Sequence, residues 1–294
     1  MNTREMTNRI ATGKGFIAAL DQSGGSTPKA LRGYGVDDNE WSGEDEMFAA
    51  IHAMRARVIT APCFAEGKVL GAILFEKTMD GEVEGQPTGD ALKARGVVPF
   101  IKVDQGLAEE ENGVQLMKPL DKLPALLEKS VAKGMFGTKM RSVIKSANPE
   151  GIATVVAQQF EVAGQILDAG LVPIIEPEYD IHAEDRIAGE DILLAEITKR
   201  LDSLPEGRQV MLKLSIPAKA GLYAGLANHP KVLRIVALSG GYSTDEACEH
   251  LAHNPGMIAS FSRGLLQDLR KDQSDAEFNK ALGDAIDKIA AASG

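Results

Sequence analysis

One lysine stands in the middle of an apolar run, and its position suggests covalent chemistry. The run is VMLKLSIP at residues 210–217, and its apolar character and terminal proline predict a short buried strand. A buried strand would carry the ammonium group of Lys213 into the protein, where an unpaired charge is costly and tends to lose its proton. A neutral lysine is a nucleophile towards carbonyl carbon. The alternative is an edge strand that leaves Lys213 in solvent, and this segment alone does not decide between them.

Acidic and basic side chains also stand where other apolar runs stop. Side chains alternate along a strand, so the charged residues that end each run share a face with its inner apolar residues. If these faces point inward together with that of Lys213, they bring four acidic and four basic groups to one place. Any single one could form a structural salt bridge, but eight at strand ends predict a site. These residues are Asp21, Lys102, Asp104, Lys139, Arg141, Glu176, Glu178 and Lys213.

This set suggests a specific reaction. Lys213 could attack a ketone to form a carbinolamine and then an iminium ion, which is an electron sink for cleavage of the neighbouring carbon–carbon bond. A positive charge on Lys139 nearby would favour the neutral form of the attacking amine. Glu176 and Glu178 could supply the general acid and base, and Asp21 could orient a lysine or handle a substrate proton. The alternative for the two glutamates is a solvated strand end.

Two groups of polar residues have the chemistry of phosphate sites. Hydroxyl, backbone N–H and guanidinium donors follow the last two apolar runs, where barrel proteins often bind phosphate. A glycine- and serine-rich loop follows the first run and, with Lys102, could bind a second phosphate, although such loops are often only turns. The first group is Ser239, Gly240, Gly241, Ser260 and Arg263, and the second is Ser23, Ser26 and Lys102.

The elements that must position these residues alternate along the chain. Apolar runs at 15–20, 69–75, 97–101, 136–141, 171–175, 210–216, 232–238 and 257–259 are separated by helical patterns. Such alternation predicts a parallel sheet covered by helices, and eight units in under 300 residues favour a (β/α)₈ (TIM) barrel, whose active site lies at the carboxyl ends of the strands. No G-x-G-x-x-G motif follows the first run. No linker divides the chain, so we expect one α/β domain over residues 1–294.

Composition limits the kinds of partner. A formal net charge of −10 argues against nucleic acid or an anionic membrane as the main partner, but not against a small anionic substrate. No apolar stretch approaches the length of a membrane span, and the N-terminus does not resemble a signal peptide. Cys63 and Cys248 lack metal-ligand or redox spacing and suggest a reducing compartment, so we expect a cytoplasmic location. The surface helices show no clear interface pattern, which leaves self-association open.

Seven short segments, in order and at strand ends, match a known family. They are AALD (18–21), IKVD (101–104), TKMR (138–141), VPIIEPE (172–178), LK (212–213), LSGG (238–241) and SR (262–263). On these segments the sequence resembles the class I (Schiff-base) fructose-bisphosphate aldolases, most closely their short bacterial branch. The resemblance implies a (β/α)₈ barrel that reversibly cleaves fructose 1,6-bisphosphate to dihydroxyacetone phosphate and glyceraldehyde 3-phosphate in glycolysis and gluconeogenesis. It also implies that no metal and no other cofactor takes part.

The resemblance carries roles over by position. It implies that Lys213 is the Schiff-base lysine, that Glu176 is the general acid/base, and that Glu178, Lys139 and Asp21 support catalysis. The other matched positions would bind the phosphate groups of the sugar. Among these, Ser239, Gly240 and Arg263 match contacts to the phosphate of the ketone half, with Ser260 beside them. The positions near the other phosphate are matched by Ser23, Ser26 and Lys102.

The sequence departs from the family pattern in three places. Animal members end in a tyrosine that assists proton transfer, whereas this sequence ends in AASG at residues 291–294, so the group that exchanges the carbanion proton is left open. An arginine that many members carry after the first strand corresponds to Ala30, and Ser262 replaces a glycine. We expect the last two differences to affect bisphosphate affinity or substrate range.

Three alternatives remain beside this interpretation. A metal-dependent aldolase would need histidines at the barrel mouth, but the five histidines fall in predicted helices or loops. A different Schiff-base lyase, such as a keto-acid aldolase or a transaldolase, would use the same lysine, although the paired phosphate features favour the bisphosphate. A barrel that only binds or acts as a scaffold would form no imine. The histidines are His52, His182, His229, His250 and His253.

Overall fold

The computed structural model describes residues 1–65 and 67–294. Its strands are β1 (Phe16–Leu20), β2 (Val69–Leu74), β3 (Glu82–Val83), β4 (Gln86–Pro87), β5 (Val98–Lys102), β6 (Leu107–Glu111), β7 (Val114–Met117), β8 (Gly137–Ile144), β9 (Val172–Tyr179), β10 (Val210–Ser215), β11 (Val232–Leu238) and β12 (Met257–Ala259). Its helices are α1 (Thr3–Thr12), α2 (Ser26–Tyr34), α3 (Gly43–Thr60), α4 (Glu76–Asp80), α5 (Thr88–Ala94), α6 (Leu123–Ala132), α7 (Pro149–Asp168), α8 (Arg186–Ser203), α9 (Ala224–Ala227), α10 (Thr244–Ala252), α11 (Arg263–Leu266) and α12 (Asp275–Ala292). A short 3₁₀ helix covers Pro62–Ala65.

Eight strands form a nearly closed parallel barrel with helices between them. Their order is β1-β2-β5-β8-β9-β10-β11-β12, each paired in parallel with its neighbour, and β12 lies beside β1. The prediction of a (β/α)₈ barrel is confirmed. β10 lies between β9 and β11, so the edge-strand alternative for Lys213 is wrong.

Apolar side chains form two layers. The inner cluster contains side chains from every barrel strand except β8, and Phe136, which directly precedes β8, takes that place. The larger cluster packs the outer faces of the strands against the helices. Ile17, Phe100, Ile174 and Met211 belong to the inner cluster, as the period-two pattern predicts for the faces that also carry the charged residues. The lower barrel is therefore an apolar core, and the charged groups lie above it.

Helix α1 closes the amino end of the barrel and was not among the elements predicted from the sequence. Met6 and Ile10 of α1 are buried in the inner cluster. The helix begins with a capping box in which Asn2 accepts from the backbone N–H of Glu5 and the Glu5 carboxylate accepts from the N–H of Asn2. This Asn-x-x-Glu pattern is a readable helix start, so the helix could have been predicted.

Two antiparallel hairpins are added to the barrel. β3 pairs with β4, and β6 pairs with β7, which continues onto the edge of β8. The turn of the second hairpin is Asn112-Gly113, and both residues have positive φ angles, 51° and 70°. Asn-Gly is the preferred pair for such a turn. None of the helices in the described residues is both long and apolar enough to span a membrane.

Candidate active site

A cavity of about 810 Å³ opens at the carboxyl ends of the barrel strands. Of the fifteen residues that the sequence places at the site, Gly241 does not line this cavity; its Cα faces Ile181 and His182. The structure therefore brings together nearly the whole predicted set. The lining residues from that set are Asp21, Ser23, Ser26, Lys102, Asp104, Lys139, Arg141, Glu176, Glu178, Lys213, Ser239, Gly240, Ser260 and Arg263.

Lys213 is buried, and its ammonium group contacts one carboxylate. The side chain comes from the middle of β10, directly above Met211 of the inner core. Only 6% of the side chain is exposed, and its Nζ atom lies 3.1 Å from Oε1 of Glu176. A lysine placed in this way has its reactive atom at the cavity wall with a proton acceptor in contact.

Glu176 binds two lysines at once. Its Oε2 atom lies 2.7 Å from Nζ of Lys139, while Oε1 contacts Lys213. Its backbone N–H donates to Oε1 of Gln159 at 2.8 Å, which ties β9 to the buried face of α7. Gln159 was not among the predicted residues, and its polar side chain on an otherwise apolar helix face was the available signal.

Lys139 is held by two carboxylates and stays charged. Its Nζ atom lies 3.1 Å from Oδ2 of Asp21 in addition to its contact with Glu176. Burial alone would lower the pKa of Lys139, but the charges of Asp21, Glu176 and Asp104 raise that pKa well above its ordinary value. Lys139 is therefore a fixed cation, whereas Lys213 contacts a single carboxylate.

Asp21 is ionised under all ordinary conditions. Burial opposes its ionisation, but the positive charges of Lys139, Lys213 and Lys102 prevail and lower the pKa of Asp21 to about 2. Asp21 directly follows β1 and its side chain reaches across the barrel to Lys139 on β8. Asp21 therefore contacts a lysine, and both roles that the sequence suggested for it stay predictions.

The remaining charged groups form two separate pairs. Nε of Arg141 donates to Oε2 of Glu178 at 2.5 Å, and burial, which would lower the pKa of Arg141, is outweighed by the Glu178 carboxylate, which raises it. Nζ of Lys102 lies 2.6 Å from Oδ1 of Asp104. Glu178 thus contacts an arginine rather than either lysine, so the Glu176–Glu178 pair does not act on one amine.

Three cations lining the cavity have no acidic partner among the described residues. Lys29, Arg263 and Arg270 are exposed at the cavity, and none of the ion pairs within residues 1–65 and 67–294 involves them. The eight interior groups balance one another, so these three give the cavity a net positive charge. That charge favours an anionic ligand. Lys29 and Arg270 were not among the predicted residues.

The two predicted phosphate regions differ in how their donors are used. In the loop after β1, the hydroxyl of Ser26 donates to the carbonyl of Ser23 at 2.8 Å and accepts from its N–H at 3.0 Å. That hydroxyl is therefore engaged in shaping the turn. By contrast, Oγ of Ser260 after β12 is buried at the cavity without a hydrogen-bond partner in the described chain. The region after β12 is the better equipped to bind an anion.

A buried arginine connects the segment after β10, the strand that carries Lys213, to the glycine loop after β11. Arg186 at the start of α8 pairs with Glu190 at 2.7 Å, donates from Nη1 to Oη of Tyr242 at 3.1 Å, and donates from Nη2 to the carbonyl of Ile216. Because Ile216 follows β10 and Tyr242 follows Gly241, this side chain fixes the spacing of two loops at the cavity. Arg186 was not among the residues predicted from the sequence.

The sequence matches a known protein family. The sequence model of a family described as glycolytic, fructose-bisphosphate aldolase class-I, matches residues 3–202. The chain belongs to this family.

Solved structures share its fold. Fructose-bisphosphate aldolase from Plasmodium falciparum matches with a TM-score of 0.78 and 20% identity over 99% of this chain and 94% of its own. Cgl0159 from Corynebacterium glutamicum matches with a TM-score of 0.55 and 15% identity over 99% and 92% of the two chains. A Schiff-base-forming fructose-1,6-bisphosphate aldolase matches with a TM-score of 0.50 and 13% identity over 97% and 100%. At these identities the likeness establishes the barrel fold.

Proposed function

We propose that this protein is a metal-independent aldolase that reversibly cleaves fructose 1,6-bisphosphate through an imine on Lys213. The observation that carries the proposal is the placement of this buried lysine, in contact with Glu176 and inside a cavity of net positive charge. Membership of the class-I aldolase family supports the reaction type. The bisphosphate as substrate, and the assignment of roles to residues, belong to the proposal.

Lys213 is the better nucleophile of the two buried lysines. Lys139 donates to both Asp21 and Glu176, which hold its proton, whereas Lys213 contacts only Glu176. Glu176 takes a proton from Lys213, and the free amine attacks C2 of the ketose to give a carbinolamine. Glu176 then returns the proton to the C2 hydroxyl, water leaves, and the iminium ion forms.

Cleavage follows from the positive charge on the imine nitrogen. A carboxylate removes the proton of the C4 hydroxyl, the C3–C4 bond breaks, and its electron pair moves into the iminium to form an enamine. Glyceraldehyde 3-phosphate departs as an aldehyde. Protonation of the enamine carbon and hydrolysis of the new iminium by water then release dihydroxyacetone phosphate and restore Lys213. Lys139 stays a fixed cation in contact with Glu176 throughout these steps.

The charges at the cavity support a doubly phosphorylated substrate. Lys29, Arg263 and Arg270 have no acidic partner in the described residues, and two phosphate groups of a bisphosphate would complement them. The family description as glycolytic supports a place in sugar-phosphate metabolism, and with it the cytoplasmic setting proposed from the sequence.

The direct test is cleavage of fructose 1,6-bisphosphate by protein treated with a chelator, with both triose phosphates measured by coupled dehydrogenases. We expect full activity in the chelator and weaker use of fructose 1-phosphate, which lacks the second phosphate. Loss of activity in the chelator would contradict metal independence. Equal use of the two sugars would contradict the bisphosphate preference, and no cleavage of either by folded protein would contradict the whole proposal.

A further inference from the structure

The loops after the first and last barrel strands are joined by side chains rather than by a backbone ladder. β1 and β12 are the two ends of the strand order, and the ladders of the described residues do not include a β1–β12 pair. Above these strands, Nε2 of Gln22 donates to Oγ of Ser262. The same amide group donates to the carbonyl of Ala19 at 3.1 Å. Both amide hydrogens of Gln22 are therefore used.

A buried arginine fixes the other end of Gln22. Nη2 of Arg55 on α3 donates to the backbone carbonyl of Gln22 at 2.6 Å and to its Oε1 at 3.2 Å, and Nη1 donates to Oγ1 of Thr78 at 2.7 Å. Arg55 is fully buried. Burial lowers the pKa of Arg55 to about 10, an effect that the charge of Asp21 opposes, so the guanidinium remains protonated at neutral pH. A buried cation of this kind is costly, and two of its three hydrogen bonds end on Gln22.

The hydrogen bonds from Arg55 through Gln22 to Ser262 allow only one assignment of donors and acceptors. A guanidinium group can donate but cannot accept, so the amide atom of Gln22 that faces Arg55 must be the oxygen. The NH₂ group then faces Ser262, and Oγ of Ser262 must accept. The hydrogen of the Ser262 hydroxyl consequently points elsewhere, and no hydrogen bond among the described residues takes it up. Ser262 lines the cavity.

Two more donors without protein acceptors lie on the same side of the cavity. Oγ of Ser260 is buried and has no partner in the part of the chain described, and the Arg263 guanidinium has no carboxylate there. We propose that Arg55 and Gln22 are positioning residues that turn the Ser262 hydroxyl hydrogen into the cavity, towards a phosphate oxygen bound beside Ser260 and Arg263. This inference rests on the proposed function for the identity of the anion. It concerns the position at which the sequence departs from the family glycine.

The first test removes the hydroxyl and measures binding of inorganic phosphate to the whole protein by calorimetry. A hydrogen bond to a charged group corresponds to about a tenfold change in affinity or more, so we expect Ser262→Ala to bind phosphate about tenfold more weakly. Ser262→Thr keeps a hydroxyl and should retain most of the affinity. Ser203→Ala removes an exposed hydroxyl on α8 and should leave binding unchanged. Equal affinity in Ser262→Ala and the wild-type protein would overturn the contact.

The second test replaces the Gln22 amide, which donates to Ser262, with a group that can only accept from Ser262. In Gln22→Glu the new carboxylate can only accept, so it still binds Arg55 but takes the Ser262 hydrogen away from the cavity. Pairing with a carboxylate keeps Arg55 satisfied but leaves the carbonyl of Ala19 without its donor, so thermal unfolding of this variant is measured first and only folded protein is used for binding. We expect phosphate affinity to fall and, with the bisphosphate, KM to rise more than kcat falls.

A double-mutant cycle separates this effect from the added negative charge. If the hydroxyl direction matters, Gln22→Glu weakens phosphate binding by a larger factor in the wild-type background than in the Ser262→Ala background. The same factor in both backgrounds would mean charge repulsion alone and would overturn the positioning role. Phosphate binding does not require an imine, so a failure of Lys213 to form one would overturn the proposed function and leave this result standing.

Discussion

Nζ of Lys213 and Oε1 of Glu176 lie 3.1 Å apart, on neighbouring strands of the barrel, with both side chains almost entirely buried. The contact joins the proposed nucleophile to the proposed acid/base in a buried position. It arises from two sequence features, a lysine two residues after an inward-facing Met211 and a glutamate two residues after an inward-facing Ile174. The chemistry of the site therefore depends on strand alternation and on the parallel pairing of β9 with β10.

Replacement of Glu176 tests its role as the acid/base. In Glu176→Gln the amide cannot take up a proton, so we expect kcat to fall by about 10²- to 10⁴-fold. Steady-state cleavage of fructose 1,6-bisphosphate measures the change. Glu196→Gln, on α8 and outside the cavity, is the matched control and should keep its activity. A decrease of only a few-fold in Glu176→Gln would assign the proton transfers to another group.

Asp21 links the site to stability at acid pH. Its pKa is lowered from 3.8 to about 2 in the folded protein, so the folded state favours the ionised form. The resulting stabilisation, about 2 kcal/mol, is present above pH 3.8 and is lost as the pH falls towards 2. Urea unfolding of wild-type and Asp21→Asn proteins should therefore show a difference at pH 5 that shrinks on acidification. A difference that stays constant with pH would contradict the electrostatic origin.

Lys29 tests whether the cations without acidic partners bind the substrate. In Lys29→Met we expect KM for the bisphosphate to rise roughly fivefold, since one charge contact at a solvated position contributes about 1 kcal/mol. The effect should weaken as salt is added because the contact is screened. Lys280→Met removes a charge from α12, away from the cavity, and serves as the control. Equal KM values for both variants would mean that Lys29 does not contact substrate.

The barrel and the charged residues of the site could be predicted because both follow from local sequence pattern. Each charged group lies within an apolar run or within three residues of its end, and the topology of a parallel barrel sends the carboxyl ends of all these runs to one side. Asp21, Glu176 and Lys213 thus converge although they are far apart in sequence. Helix α1 and the hairpin turn at Asn112-Gly113 also have readable signals, a capping box and an Asn-Gly pair, although neither was predicted.

The supporting residues could not be found in this way. Arg55 lies on α3 between Met54 and Ala56, and nothing local shows that this helix face packs against the loop containing Gln22. Arg186 is likewise one of several charged residues near the start of α8, and its contact with Tyr242 spans 56 residues. The pairing of Glu178 with Arg141 rather than with a lysine depends on side-chain reach across two strands. These are tertiary contacts, which the hydrophobic periodicity and the composition of the sequence do not reveal.

The most direct test of the account is chemical trapping at the two buried lysines. Borohydride added to the protein with dihydroxyacetone phosphate reduces any imine to a stable amine, and mass spectrometry of the digested protein locates it. We predict a three-carbon adduct on the peptide that contains Lys213, absent from Lys213→Met. An adduct on Lys139 instead, or no adduct on correctly folded protein, would contradict the proposed mechanism.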